Sequence, residues 1–143
     1  MSDYRISLAQ ANTIIEAAFA KGREAGMKPL NCVVVDAGGH VIAFQRQDGQ
    51  PFLRLDIARG KAAGALALGV NSRRLGEMAA ERPAFIGSLA HLTPGGLVPV
   101  AGGVIVIGPD KFPIGAVGVT GDTSDNDEVA ALAGIQAAGL TPL

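Results

Sequence analysis

The feature that most restricts how this chain can fold is the pairing of β-branched runs around short glycine- or proline-marked turns. Asn31-Cys-Val-Val-Val-Asp36 and Val41-Ile-Ala-Phe-Gln-Arg46 flank Ala37-Gly38-Gly39-His40, a turn sequence able to adopt positive φ. Val104 to Ile107 and Ile114 to Thr120 flank a second turn, Gly108-Pro109-Asp110-Lys111. Helical stretches separate the two hairpins. A parallel sheet would need a crossover after each strand, so this order predicts an α+β domain: an antiparallel sheet with helices packed on it.

The helical stretches carry their own start and stop signals. Ser7-Leu8-Ala9-Gln10 reads as a capping box ahead of Leu8, Ala11, Ile15, Ala18 and Phe19 at helical spacing, and that helix stops near Gly26. Pro51 suits the first turn of a second helix running to about Gly69, with Leu55, Ala58, Ala62, Ala65 and Leu66 along one stripe. Asn71-Ser72 can cap a shorter helix that ends before Pro83. Residues 84–98 read as irregular, because Pro94-Gly95-Gly96 breaks any continuous element. A last helix runs from about Ser124 to Ala138, with Ser124 as cap and Asp127 completing a box.

At 143 residues, without repeat, charge run or linker, residues 1–143 read as a single domain. Hydrophobic residues make up 48% and charged residues 17%, more apolar than a monomer's surface requires, which points to a homo-oligomer. The net charge of −1, one Tyr and no Trp leave neither a basic footprint nor stacking platforms, so nucleic acid is not expected as a partner. The opening MSDYRISLAQ lacks a secretory pattern, and no window reaches the roughly 20 apolar residues of a membrane span. A cytoplasmic protein without a membrane partner is the expectation. Cys32 is the one cysteine, which excludes an intrachain disulfide and reads as a buried structural thiol.

Several residues are candidates for chemistry, each with a plainer alternative. Gly121 and the hydroxyls of Thr123 and Ser124 open a helix whose free amides could receive a carboxylate; the same residues could simply cap that helix. Gly102-Gly103 could bring bare main chain to a ligand, or mark a bulge or bend. Arg54 and Lys61, seven apart on one helix face, could hold an organic acid or snorkel over the helix edge, while Arg59 could pair with Asp56. His40 and His91 are the only histidines. His40 reads as a solvated turn residue, whereas His91 lies in a loop, where ligands and bases concentrate. No nucleophile elbow, Walker loop, Cys-x-x-Cys or Rossmann fingerprint is present.

Four blocks in series resemble the GlcG/HbpS family: Val33 to Ile42, Ala58-Arg59-Gly60-Lys61-Ala62, Val98 to Gly103, and Ile114 to Gly121 followed by Asp127-Glu128. The resemblance implies a profilin-like fold, a five-stranded antiparallel sheet flanked by helices, assembled as a homo-oligomer. Relatives include haem-binding proteins, the C-terminal domain of PduO-type proteins, and proteins encoded beside glycolate or aromatic-acid catabolic genes. Val104-Ile105-Val106-Ile107 and Thr120 depart from the usual family segments. The first helix has no histidine, so haem binding would need His91, His40, a methionine such as Met27 or Met78, or a hydroxyl.

Two functions follow. The leading one is small-molecule binding with haem as ligand, in a cleft between Gly102-Gly103, the 84–98 loop and the second helix, with Arg54 or Lys61 on a propionate and His91 on the iron. The other is a cofactor-independent isomerase, hydrolase or dehalogenase, with Arg54 and Lys61 holding a carboxylate and His91, Asp127 or Glu128 exchanging the proton. A ligand-free assembly protein is a third reading. The first expects Gly102, Gly103, Gly121 and Thr123 to border one hollow.

Overall fold

A computed structural model describes residues 2–143 of the chain. In chain order the elements are α1 (Leu8–Glu24), β1 (Asn31–Asp36), β2 (Val41–Arg46), α2 (Arg54–Leu68), α3 (Ser72–Glu81), α4 (Pro83–Leu89), β3 (Gly103–Ile107), β4 (Pro113–Thr120), α5 (Ser124–Ala137) and β5 (Thr141–Pro142). The strands form one antiparallel sheet in the order β2-β1-β4-β3-β5. Both predicted hairpins are therefore present, and β1 and β4 join them at the sheet's centre.

Side chains alternate between the two faces of that centre, as extended backbone requires. Cys32, Val34, Val117, Val119, Val104 and Val106 join Ile14, Ile15, Ala130 and Ile135 of α1 and α5 in the main core. Val33, Val35 and Ala116 meet Ala58 and Ala62 of α2 on the opposite face. The result is a three-layer sandwich of α1 with α5, the sheet, and α2. A satellite cluster of Leu75, Ile86 and Leu97 ties α3 and α4 to the segment that leads into β3.

The alanine and glycine content of α2 has a packing cause. Gly103 and Gly118 lie side by side in register on β3 and β4. A Cβ at Gly118 would overlap the Ala58 carbonyl, and one at Gly103 would overlap the carbonyl of Lys61. Two bare positions thus form a trough into which the α2 backbone sinks, closer than any side chain permits.

The structure changes several element boundaries and caps. α2 begins at Arg54, because Pro51-Phe52-Leu53 forms a turn in which the Arg54 amide donates to the Pro51 carbonyl at 3.3 Å. Residues 84–98 are not wholly irregular: α4 occupies 83–89, with Pro83 at its first position, where a missing N–H costs nothing. Thr123, not Ser124, caps α5, its hydroxyl accepting from the Asn126 amide at 3.2 Å. The predicted capping box of α1 is present, with both reciprocal bonds between Ser7 and Gln10.

Asn71 stands at the N-cap of α3 without capping it. Its Oδ1 accepts from the Ile105 amide at 2.8 Å, and Ser72 Oγ accepts from the Gly103 amide at 2.7 Å. Leu143 donates its amide to the Ile105 carbonyl at 2.9 Å. The outer edge of β3 is therefore closed by side chains and by the chain's last residues, and β5 covers its remaining end. Among the described residues no helix is long and apolar enough to cross a membrane.

Candidate functional site

Lys61 and Asp127 are brought together, but away from solvent. Lys61 Nζ donates to Asp127 Oδ2 at 3.0 Å and to the Val119 carbonyl at 2.9 Å, with both side chains 2% exposed. Asp127 Oδ1 in turn accepts from the Asp122 amide at 2.9 Å. Burial lowers the Lys61 ammonium and raises the Asp127 carboxyl, each shift opposed by the partner's charge. The pair links α2, on one face of the sheet, to α5 on the other.

Gly102 and Gly103 make that crossing possible. A Cβ at Gly102 would come within 2.8 Å of Lys61 Nζ and 3.1 Å of its Cδ, and Gly103 lies against the Lys61 main chain. At Gly121, φ is 147° and a Cβ would overlap the Pro29 carbonyl. The expected hollow is corrected here: the bare main chain faces the protein's own backbone and the lysine stem. The α4–β3 loop does reach α2, yet also in direct contact, with Val98 on Gly60 and Leu97 on Gly64.

The remaining candidates lie apart from one another. Thr123 serves as a helix cap, and Glu128 is held by Arg73, which also pairs with Asp125. Arg54 sits at the start of α2 with Nη1 3.4 Å from Thr120 Oγ1. Arg59 makes no ion pair with Asp56 and instead lies against Gly95. His91 is exposed in the loop after α4. Lysine and carboxylate spend their hydrogen bonds on each other and on the Val119 carbonyl and Asp122 amide, so the arrangement offers no free acid–base pair to a substrate at Lys61 and Asp127.

A different group of residues does border open space. A cavity of about 530 Å³ lies beside the β1–β2 turn, lined by Arg5, Asp36, Gly38, His40, Leu66 and Phe112 among others. A smaller hollow of about 140 Å³ adjoins it, sharing Ala37, Gly38 and Leu66 and walled by Thr93 and Pro94. The hairpin positions the imidazole. Asp36 Oδ1 accepts from the amides of Gly38 (2.9 Å) and His40 (3.0 Å), so the carboxylate organises the turn. The same oxygen lies 3.4 Å from His40 Nδ1.

His40 is a solvated turn residue, as its position predicts, with a side chain 79% exposed, and it is also a cavity-lining imidazole. The signal for the second property was Asp36 four residues earlier, a carboxylate able to organise the turn that presents the ring. Arg5 and Phe112 reach the cavity from segments distant in sequence, so spacing could not reveal them. Among the described residues no group of three or more His, Cys, Asp or Glu side chains could hold a bare metal ion. Haem asks less of the protein, since the porphyrin supplies four iron ligands itself. One imidazole, one guanidinium and apolar walls match the donor set that an axial position, a propionate and a porphyrin face require.

Comparison with known proteins bears on this chemistry. Residues 6–136 match the family model for haem degrading protein HbpS-like. A Citrobacter freundii protein, an uncharacterized 15.0 kDa protein from the dhaT-dhaS intergenic region, is 33% identical over 126 residues, covering 88% of this chain and 87% of that protein. The crystal structure of a PduOC:heme complex superposes with a TM-score of 0.84 at 23% identity, over 96% of this chain and 98% of that one. A doubly substituted HbpS from Streptomyces reticuli gives 0.80 at 26% identity, over 95% and 88%.

Proposed function

We propose, for a chain that belongs to the HbpS-like family of haem-degrading proteins, a small-molecule-binding role with haem as the ligand. The carrying observation is the cavity beside the β1–β2 turn, where an imidazole with a carboxylate beside it, a guanidinium and an apolar wall meet. Its volume falls in the usual range for cofactor and ligand pockets, about 300–1,000 Å³. The PduOC relative, which shares the fold, forms a complex with heme. His40 would hold the iron through a ring nitrogen, with Asp36 holding the turn that carries it; Arg5 would hold a propionate, and Leu66 and Phe112 would flank the porphyrin. Bound there, haem would supply redox chemistry and a ligand site at iron, while the protein supplies orientation and limits water.

Exposed Phe52 and Leu92, outside the cavity lining, support the expectation of a homo-oligomer, to be read by light scattering on the purified protein. Haemin titration tests the ligand. The wild-type protein should give a saturable shift of the Soret band, His40→Ala should weaken binding at least tenfold and alter the spectrum, and His91→Ala should leave both unchanged. A wild-type protein with no Soret shift removes haem. Loss confined to His91→Ala returns the iron to the loop after α4, as the sequence alone suggested.

A further inference from the structure

Arg5 also borders a second cavity, of about 360 Å³, flanked by the start of α1, the β3–β4 turn and the residues that follow α5. No carboxylate lines it. Two cations do, Arg5 and Lys111, and neither forms an ion pair among the described residues. Arg5 Nη1 donates to the Ser2 and Tyr4 carbonyls at 2.6 and 2.8 Å, which anchors the guanidinium while its Nε and Nη2 make no hydrogen bond among the described residues. Gln10 is oriented in a similar way: its Oε1 accepts from the Ser7 amide at 2.9 Å in the capping box of α1, so its Nε2 stays available as a donor. Ile107, Ile114 and Leu140 supply apolar wall. The end of α5 borders the cavity too, but the amides of Gly139 and Leu140 close on the Gln136 and Ile135 carbonyls and partly satisfy its negative pole. Lys111 is the one non-glycine residue at positive φ among the described residues, at 69°. That left-handed backbone suits glycine or asparagine better than lysine, so the turn keeps a side chain that its own geometry disfavours.

We infer that this cavity is a binding site for a small organic dianion, a phosphomonoester or a short dicarboxylate, whose charge Arg5 and Lys111 match together. A monoanion leaves one cation uncompensated, and a bare inorganic ion leaves the isoleucine and leucine wall wet. Arg5 presents a planar fork and Lys111 a point charge, two donors suited to phosphate and carboxylate oxygens. Gln10 Nε2 adds a neutral hydrogen bond. The volume again lies in the usual ligand range of about 300–1,000 Å³. Arg5 is the one residue common to this lining and that of the His40 cavity, so Lys111 and Gln10 belong to this site alone.

Calorimetric titration of the purified protein at low salt and pH 8 tests the assignment, with phenyl phosphate set against benzoate and succinate against butyrate. At least one dianion should bind saturably and at least tenfold more tightly than its monoanionic counterpart. Binding of phenyl phosphate identifies a phosphomonoester site, and binding of succinate a dicarboxylate site. Lys111→Asn should cut that affinity at least tenfold while leaving Tm unchanged or raised, because asparagine accepts the left-handed turn more readily. Lys111→Arg, which keeps the charge, should keep most of the affinity. No binding of either dianion, a monoanion that binds as tightly as its dianion, or full affinity in Lys111→Asn each overturns the proposal. His40→Ala should leave dianion binding intact, so failure here is separable from failure of the haem reading.

Discussion

Replacing Lys61 by methionine removes one charge from a closed interior and leaves the other behind. Asp127 then has two options in the folded state. It can stay ionised without its cation, a loss of about 3–5 kcal/mol for breaking buried pairs. Alternatively it can stay protonated, which costs about 1.4 kcal/mol for each pH unit above its unfolded value of 3.8, or about 4 kcal/mol at pH 7. The two routes agree on about 4 kcal/mol, or roughly 15 °C in Tm for a chain of this length. The pH slope separates this from lost packing. A carboxyl raised in the folded state binds its proton more tightly there than in the unfolded chain, so the Lys61→Met deficit should shrink on acidification and nearly vanish by about pH 4. Asp127→Asn should show the opposite slope, its stranded ammonium relieved as pH rises towards 10.5. Combining Lys61→Met with Asp127→Leu should recover most of the loss. Urea melts from pH 4 to 9 measure all of this. A Lys61→Met protein within about 1 kcal/mol of wild type at pH 7, or a deficit flat with pH, would refute the reasoning.

Three further outcomes follow from the packing and the hydrogen bonds. Gly118→Ala drives a methyl into the Ala58 carbonyl and should destabilise by about 3 kcal/mol or more, whereas Gly87→Ala on α4, with open space around it, should be neutral or stabilising by a few tenths; thermal melts compare them. Burial pushes the Cys32 thiol up to about 12, so it should resist a thiol reagent at pH 8 and react at a rate that tracks unfolding. The amides of Lys28 and Thr123 and the side chain of Asn126 hold Asp122 at about 2 against an ordinary 3.8. Its contribution is complete above pH 3.8 and lost as pH falls through 2, and Asp122→Asn should flatten the stability curve in that window.

Local order was legible where the signal is local. The two hairpins, the capping box of α1 and the extent of α5 all depend on residues within a few positions of one another. α4 was obscured because Pro94-Gly95-Gly96 argues for a loop so strongly that Pro83, a good first helical residue, read only as a stop. The cap of α5 slipped by one because Thr123 and Ser124 offer the same hydroxyl. Lys61 was a different problem: a seven-residue spacing to Arg54 suggested a shared cationic face, but burial is decided by Asp127, 66 positions away, and by two glycines on β3's approach. Asn31 opens the β-branched run of β1, and nothing nearby in sequence says that its oxygen ends without a donor.

The sealing of β3 by Asn71, Ser72 and Leu143 gives the sheet two unlike margins. β2, six residues long, forms one margin, while on the other side β3 is backed by the two-residue β5 and by the bonds from Asn71, Ser72 and Leu143. Fibre growth by strand addition needs a donor rim at both ends of each unit. With β3 covered, β2 is the one long edge strand, and pairing of two copies through it is an arrangement that closes as a two-fold pair rather than propagating.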